Sequence, residues 1–270
     1  MKAIEIFAEP LACVAPQTAV SSTGVVRDIF LVREQPLTIY LNRQEVVTLM
    51  TMGSAPAYLI AGFLLNQQLI DSAAAIHSIH VDWEVNAAAV YADTVESVDK
   101  KTEKRVVTSG CGQGTMFTAV MDHAAKKAAH LSTIAPLTAA TIYALLAQLS
   151  KENDVYQQAG GVHSCALCSH NNVIKVIEDV GRHNAVDSLT GYLALENVSE
   201  VPTIMYTTGR LTSEMVIKTA QMGLPVIISR SGATSMGVEV AEAAGITLIS
   251  RAKGKGFLLL TGGHRLHFSP

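Results

Sequence analysis

From Thr138 onward the chain alternates between two hydrophobic rhythms. Runs such as PTIMYTT and PVIISRS are apolar almost throughout, as in strands buried on both faces. Between them, TAATIYALLAQLSKEND, GRHNAVDSLTGYLAL, TSEMVIKTAQMG and TSMGVEVAEAAG space their apolar residues as helices do. GGVHSCALCSHNNVIKVIEDV reads as two β-rich runs around a turn at His170–Asn172, and a strand TLISRA and a final run GFLLLTGG close the chain. One hairpin followed by β–α alternation predicts a mostly parallel sheet with helices on both faces.

The first part is less regular. DIFLVREQPLTIYLNRQEVVTLM predicts short strands interrupted at Pro36 and at an Asn42–Arg43 turn. SAPAYLIAGFLLNQQLI predicts a helix with Ser54 as its N-cap and a proline near its start. AIHSIHVDWEVNAAAVYAD alternates like a hairpin, and the charged DTVESVDKKTEKR reads as a solvated strand or loop. A glycine-rich loop and a helix over TAVMDHAAKKAAHLS follow. The resulting division is an N-terminal mixed α+β domain over residues 1–107, a flexible cysteine loop over 108–120 and an α/β domain over 121–270.

Composition narrows the function classes. The chain has 270 residues, 49% of them hydrophobic, enough for one large core or two modest ones. Twenty basic residues against 23 acidic ones give a net charge of −3, and no basic stripe interleaves with aromatics, so nucleic acid is not the expected partner. No run has the uninterrupted apolar length of a membrane span or signal peptide, so the expectation is a cytoplasmic protein with no membrane association. Four cysteines, Cys13, Cys111, Cys165 and Cys168, are too few for a disulfide scaffold.

Three strand-to-helix junctions carry anion-friendly residues. EDVGRHNAVD offers Arg182, His183 and Asn184 beside a tight glycine turn; TTGRLTSEM offers Gly209 and Arg210; SRSGATSMG offers Ser231. Helix starts present free N–H groups, and arginine matches phosphate geometry. The plainer reading of each is a capped helix with surface charge. Three junctions at strand carboxyl ends are expected to line one crevice, where open α/β sheets bind ligands. SRAKGKGF adds Arg251, Lys253 and Lys255, and no Walker-type loop is present.

The cysteines divide. In a strand, Cys165 and Cys168 of CALC point to opposite faces and cannot share a metal, which favours a reading as small buried hydrophobes. Cys111 is different. In TSGCGQG it is flanked by Gly110 and Gly112, with Gly114 beyond, ahead of an expected helix start near Thr115. A helix N-terminus favours the thiolate, and no acidic residue lies within five positions to oppose it. Set against this is an incidental loop cysteine.

TSGCGQG, GGVHSCAL, EDVGRHNAVDSLTGY and TGRLTSEMVIKTAQMGLPVIISRSGATSMGVEVAEAAGITLISRAKG, in that order, resemble the FdhD/NarQ family of formate dehydrogenase accessory sulfurtransferases. The resemblance implies a cytidine deaminase-like three-layer α/β/α fold for the second half. It implies that Cys111 takes persulfide sulfur from a cysteine desulfurase and passes it to the molybdenum bis-molybdopterin guanine dinucleotide cofactor destined for the formate dehydrogenase apoenzyme. It places cofactor binding at Ile249, Ser250, Arg251, Ala252, Lys253 and Gly254, where a guanine nucleotide can stand in for the cofactor. It also implies a homodimer. The family usually carries C-G-x-C in the loop; here Gly114 replaces the second cysteine, leaving a single-cysteine relay unless Cys165 substitutes for it. Two other classes stand beside this one. A non-catalytic cofactor chaperone would keep the crevice without needing Cys111. A zinc-dependent deaminase would use His183 but lacks the cysteine pair that completes three ligands, so no zinc is expected.

Overall fold

The computed structural model describes residues 4–95 and 135–268. In chain order the elements are β1 (Glu5–Phe7), β2 (Val14–Val20), β3 (Val26–Val32), β4 (Gln35–Leu41), β5 (Gln44–Thr51), α1 (Pro56–Asn66), β6 (Ile76–Asp82) and β7 (Ala87–Ala92). After residue 134 come β8 (Leu137–Thr138), α2 (Ala139–Leu149), α3 (Asp154–Ala159), β9 (His163–Cys168), β10 (Val173–Asp179), α4 (Arg182–Leu195) and β11 (Ile204–Thr207). The chain continues through α5 (Ser213–Gln221), β12 (Val226–Ser229), α6 (Ser235–Ala243), β13 (Thr247–Lys253), β14 (Gly256–Thr261) and β15 (Leu266–His267). Among the described residues no helix is long and apolar enough to cross a membrane. The Cys111 loop, the charged stretch from residue 96 and the helix expected over TAVMDHAAKKAAHLS lie outside the described residues.

Two compact units emerge, and neither is continuous in sequence. Of the described residues, the first unit takes those up to 95 together with Asn153–Ser164 and Ile177–Glu196. The second takes 135–152, Cys165–Val176 and everything from Asn197. The boundary therefore runs through β9 and β10, and α4 groups with the first unit rather than with the α/β half in which a contiguous division at 121 would put it.

In the first unit, a five-stranded sheet has the order β1-β6-β7-β4-β5, and β2 pairs with β3 in a separate antiparallel ribbon. Strand alternation sets the core: Leu37, Ile39 and Leu41 of β4 are fully buried with Ile79 of β6 and Ile60 and Leu64 of α1. Asn42 and Arg43 turn the β4–β5 hairpin with φ of 50° and 72°, the backbone a two-residue hairpin loop requires. Pro36 is not at the interruption; it is the second residue of β4, where a strand tolerates proline. Ser54 is not the cap of α1 either. Ala55 holds that position, Pro56 begins the helix, and the Ser54 hydroxyl donates to the Glu178 carbonyl at 3.2 Å. Helices α1 and α4 pack together through Gly62 and Gly191, where any Cβ would run into the backbone of Asp187 and Tyr58 respectively.

In the second unit, the sheet order is β10-β9-β11-β12-β13-β14. Only β11–β12 and β12–β13 pair in parallel; β9–β11 and β13–β14 are antiparallel, so the sheet is mixed rather than mostly parallel. The apolar runs meant what they suggested, since every residue of β11 and β12 is buried and both faces are covered. Ile142, Leu145 and Leu149 of α2 share a cluster with Ile204, Tyr206, Val226, Ile228 and Ile249 of the sheet. Helix α2 is capped by Thr138, whose hydroxyl accepts from the Thr141 N–H at 3.1 Å.

Candidate functional site: the carboxyl-end rim of the second sheet

Register aligns the ends of the strands. Cys165 lies opposite Thr207, and Thr207 opposite Ser229. Ile249 pairs with Ile228, which puts Ser250 level with Ser229. Small polar residues thus stand in one row across four adjacent strands, at the last position of β11 and β12 and within β9 and β13, and all four are at most 2% exposed. The loops that leave this row are tied to one another by backbone bonds: Arg230 N–H to Thr207 O (3.0 Å), Leu211 N–H to Gly232 O (2.9 Å) and Arg251 N–H to Ser231 O (2.8 Å).

Side chains on this rim point to two destinations. Within Ile249–Gly254, Ile249 and Ala252 are buried in the core cluster and Ser250 is buried, whereas Arg251, Lys253 and Gly254 are exposed. Arg210 and Arg230 are exposed as well, while Gly209 is buried and Ser231 half-buried. Among the described residues, none of Arg210, Arg230 and Arg251 makes an ion pair. Arg251 has φ of 51° in the irregular stretch of β13 between Ser250 and Lys253. A left-handed non-glycine residue costs roughly 1–2 kcal/mol, and a bulge there re-aims its side chain.

Arg182, His183 and Asn184 belong to the first unit, and their turn is organised differently. Asp179 ends β10 and is 3% exposed. Its Oδ1 accepts from Gly181 N–H (3.1 Å) and Asn184 Nδ2 (2.9 Å), and its Oδ2 from the Thr51 hydroxyl (2.5 Å) and Met52 N–H (3.4 Å). Burial raises the Asp179 pKa above the ordinary carboxylate value, while these four bonds pull it back down. Asn184 also donates to Met50 O at 2.7 Å, so its amide nitrogen already serves two acceptors within this unit. Neighbouring Glu178 accepts from Val155 N–H (2.9 Å), Tyr156 N–H (3.1 Å) and the Ser164 hydroxyl (3.2 Å).

Two of the described thiols are shifted away from the thiolate form. Burial, reinforced by Glu152, pushes Cys168 up to about 12. Burial, with the charges of Asp179 and Glu178, also raises Cys13. Cys165 donates its S–H to the Thr207 hydroxyl at 3.2 Å. Residues of one strand three positions apart do face opposite ways here: Cys168 joins the α2-side cluster and Cys165 the rim.

Thr207, Ser229 and Asp179 are the residues that motif reading passed over. A signal exists: Thr51, Asp179, Thr207 and Ser229 each end a strand, and each accepts from the N–H two residues on, at Gly53 (3.1 Å), Gly181 (3.1 Å), Gly209 (3.0 Å) and Ser231 (2.9 Å). The spacing is that of the Ser/Thr/Asp turns.

A mixed α/β protein whose second sheet carries exposed arginines beside the ends of its central strands is the class these features define. The family model described as the FdhD/NarQ family matches residues 32–267, and the chain belongs to that family. It is 34% identical over 240 residues to the sulfur carrier protein FdhD of Bacillus licheniformis, covering 87% of this chain and 89% of the relative. The protein of the same name from Bacillus subtilis is 33% identical, with 87% and 90% covered. Among solved structures, one assigned as a formate dehydrogenase accessory protein from Desulfotalea psychrophila matches with a TM-score of 0.74 at 26% identity, over 96% of this chain and all of that one.

Proposed function

We propose that this protein is a sulfur carrier that takes persulfide sulfur from a cysteine desulfurase at Cys111 and hands it to the bis-molybdopterin guanine dinucleotide cofactor needed by formate dehydrogenase. The observation that carries the reading is the family match together with relatives named sulfur carrier proteins. In the transfer, the Cys111 thiolate attacks the outer sulfur of the donor persulfide. A new S–S bond forms on Cys111, the donor's S–S bond breaks, and its cysteine leaves as thiolate. The cofactor is cargo, and its guanine nucleotide ends fit the rim: Arg210, Arg230 and Arg251, exposed and without an ion pair among the described residues, suit phosphate. Arg251, Lys253 and Gly254 are the members of the Ile249–Gly254 segment that reach the ligand. On this reading the second unit has the cytidine deaminase-like layering used to hold a nucleotide rather than to deaminate one. The protein acts as a sulfurtransferase, and the formate dehydrogenase apoenzyme is the downstream partner.

Burial shifts Cys13 and Cys168 further from the reactive thiolate, which makes these two less suited to carry persulfide than an unburied thiol. The test is intact-protein mass spectrometry after incubation with a cysteine desulfurase and cysteine. The wild type is expected to gain sulfur and Cys111→Ala to gain none. Gain in the variant would move the carrier to another thiol, and no gain in either would favour a non-catalytic cofactor chaperone.

A further inference from the structure

One peptide group on the rim is held at both ends by side chains from different strands. The Thr207 hydroxyl of β11 accepts from Gly209 N–H at 3.0 Å, and the Ser229 hydroxyl of β12 donates to Gly209 O at 2.6 Å. Ser229 also accepts from Ser231 N–H at 2.9 Å, so the same hydroxyl shapes the next loop. Behind them the Cys165 thiol donates to Thr207 at 3.2 Å. Cys165, Thr207 and Ser229 are all 0% exposed, so no water competes for these bonds. The residue after the clamped glycine is the exposed Arg210, and the loop is pinned again at Leu211 N–H to Gly232 O.

We infer that Thr207 and Ser229 are positioning residues that fix the Gly209–Arg210 turn in the shape that meets a phosphate of the bound nucleotide, with Cys165 as the thiol donor that backs Thr207. The inference rests on the reading of the rim as a guanine nucleotide site. Its physical basis is preorganisation. A turn held rigid before binding loses little freedom when an anion arrives, whereas a loosened one must be ordered by the ligand. The hydroxyls are too deep to touch the ligand themselves, so their effect has to travel through the Gly209 peptide and Arg210.

The test compares guanosine diphosphate with guanosine on the full chain by calorimetry, with thermal melting alongside. Thr207→Val keeps the shape and β-branching but removes the acceptor. It is expected to weaken guanosine diphosphate about tenfold, the effect of one lost buried hydrogen bond, while leaving guanosine affinity unchanged. Thr207→Ser restores the hydroxyl and is expected to restore affinity for the diphosphate. Ser229→Ala is the second variant should Thr207→Val not fold, with the same selective loss expected. Equal weakening of both ligands, or no weakening in a folded variant, would overturn the positioning role while leaving the rim as the site. Wild-type protein that does not prefer the diphosphate over guanosine would overturn the reading of the rim, and the inference with it.

Discussion

Gly181–Arg182 in the first unit and Gly209–Arg210 in the second are written alike. Each follows a strand whose last residues are buried, leads into a helix and has its glycine two residues beyond a side chain that accepts from the glycine N–H. The first turn is built around the buried carboxylate Asp179, which gathers four donors and draws Asn184 inward. The second is built around neutral hydroxyls, and its neighbouring arginines lie in solvent without an ion pair among the described residues. An anion supplied by the protein itself organises one turn. The other is held by hydroxyls and leaves Arg210 exposed. The same dipeptide is therefore fixed by a buried carboxylate in one place and by neutral side chains in the other, and the residue two positions upstream decides which.

The sharpest way to break this comparison is Asp179→Ala. Removing the carboxylate strands several buried donors at once, and a loss of roughly 3 kcal/mol of stability is expected, measured by denaturant unfolding. A variant as stable as wild type would deny the lock. Arg210→Ala should behave in the opposite way, weakening guanosine diphosphate about tenfold with stability within ~0.5 kcal/mol of wild type. Arg251→Gly separates the two properties in a single residue. Relief of the left-handed backbone should raise stability by about 1 kcal/mol, while loss of the guanidinium lowers nucleotide affinity. A drop in stability would mean that the Arg251 side chain contributes to packing.

The smallest effect near neutral pH concerns Cys168. Its thiol holds its proton up to about 12 in the fold against the ordinary thiol value of 9.0. Between those values the unfolded chain has released that proton and the folded one has not, so stability is unaffected below about pH 9 and falls as pH rises above it. Tyr206, raised by burial to about 12, acts in the same direction. Cys168→Ala should make the alkaline decline shallower by up to one proton, read from unfolding free energies between pH 8 and 11. An unchanged slope would show that Cys168 ionises in the folded state much as it does in the unfolded one.

Much of this was legible before any coordinates. The continuous apolar runs PTIMY and PVIIS did become strands buried on both faces, the Asn42–Arg43 pair did turn a hairpin, and GRHNAVDSLTGYLAL did form a helix. Strand direction was legible only in part. β14 runs antiparallel to β13 because only Gly254 and Lys255 separate them, a connection that can only be a hairpin, whereas the antiparallel placement of β9 beside β11 is settled between segments distant in sequence. The assignment of α4 to the first unit was hidden as well. Gly62 and Gly191 lie well over 100 positions apart in sequence, and each looks like an ordinary helix glycine until the two helices are brought together.

By itself, then, the sequence determined the elements, the family and the residues with chemistry to offer, because hydrophobic period, glycine placement and motif order are local properties of the chain. Only the tertiary structure decided which of those residues are buried and which stand in solvent. Ile249 and Ala252 pack in the core while Arg251 and Lys253 between and beside them stand in solvent. Asn184 turns inward to Asp179, and Thr207 and Ser229 close on one peptide from two strands. The physical reason is that a side chain's direction and partners depend on register and burial, which are settled between segments distant along the chain.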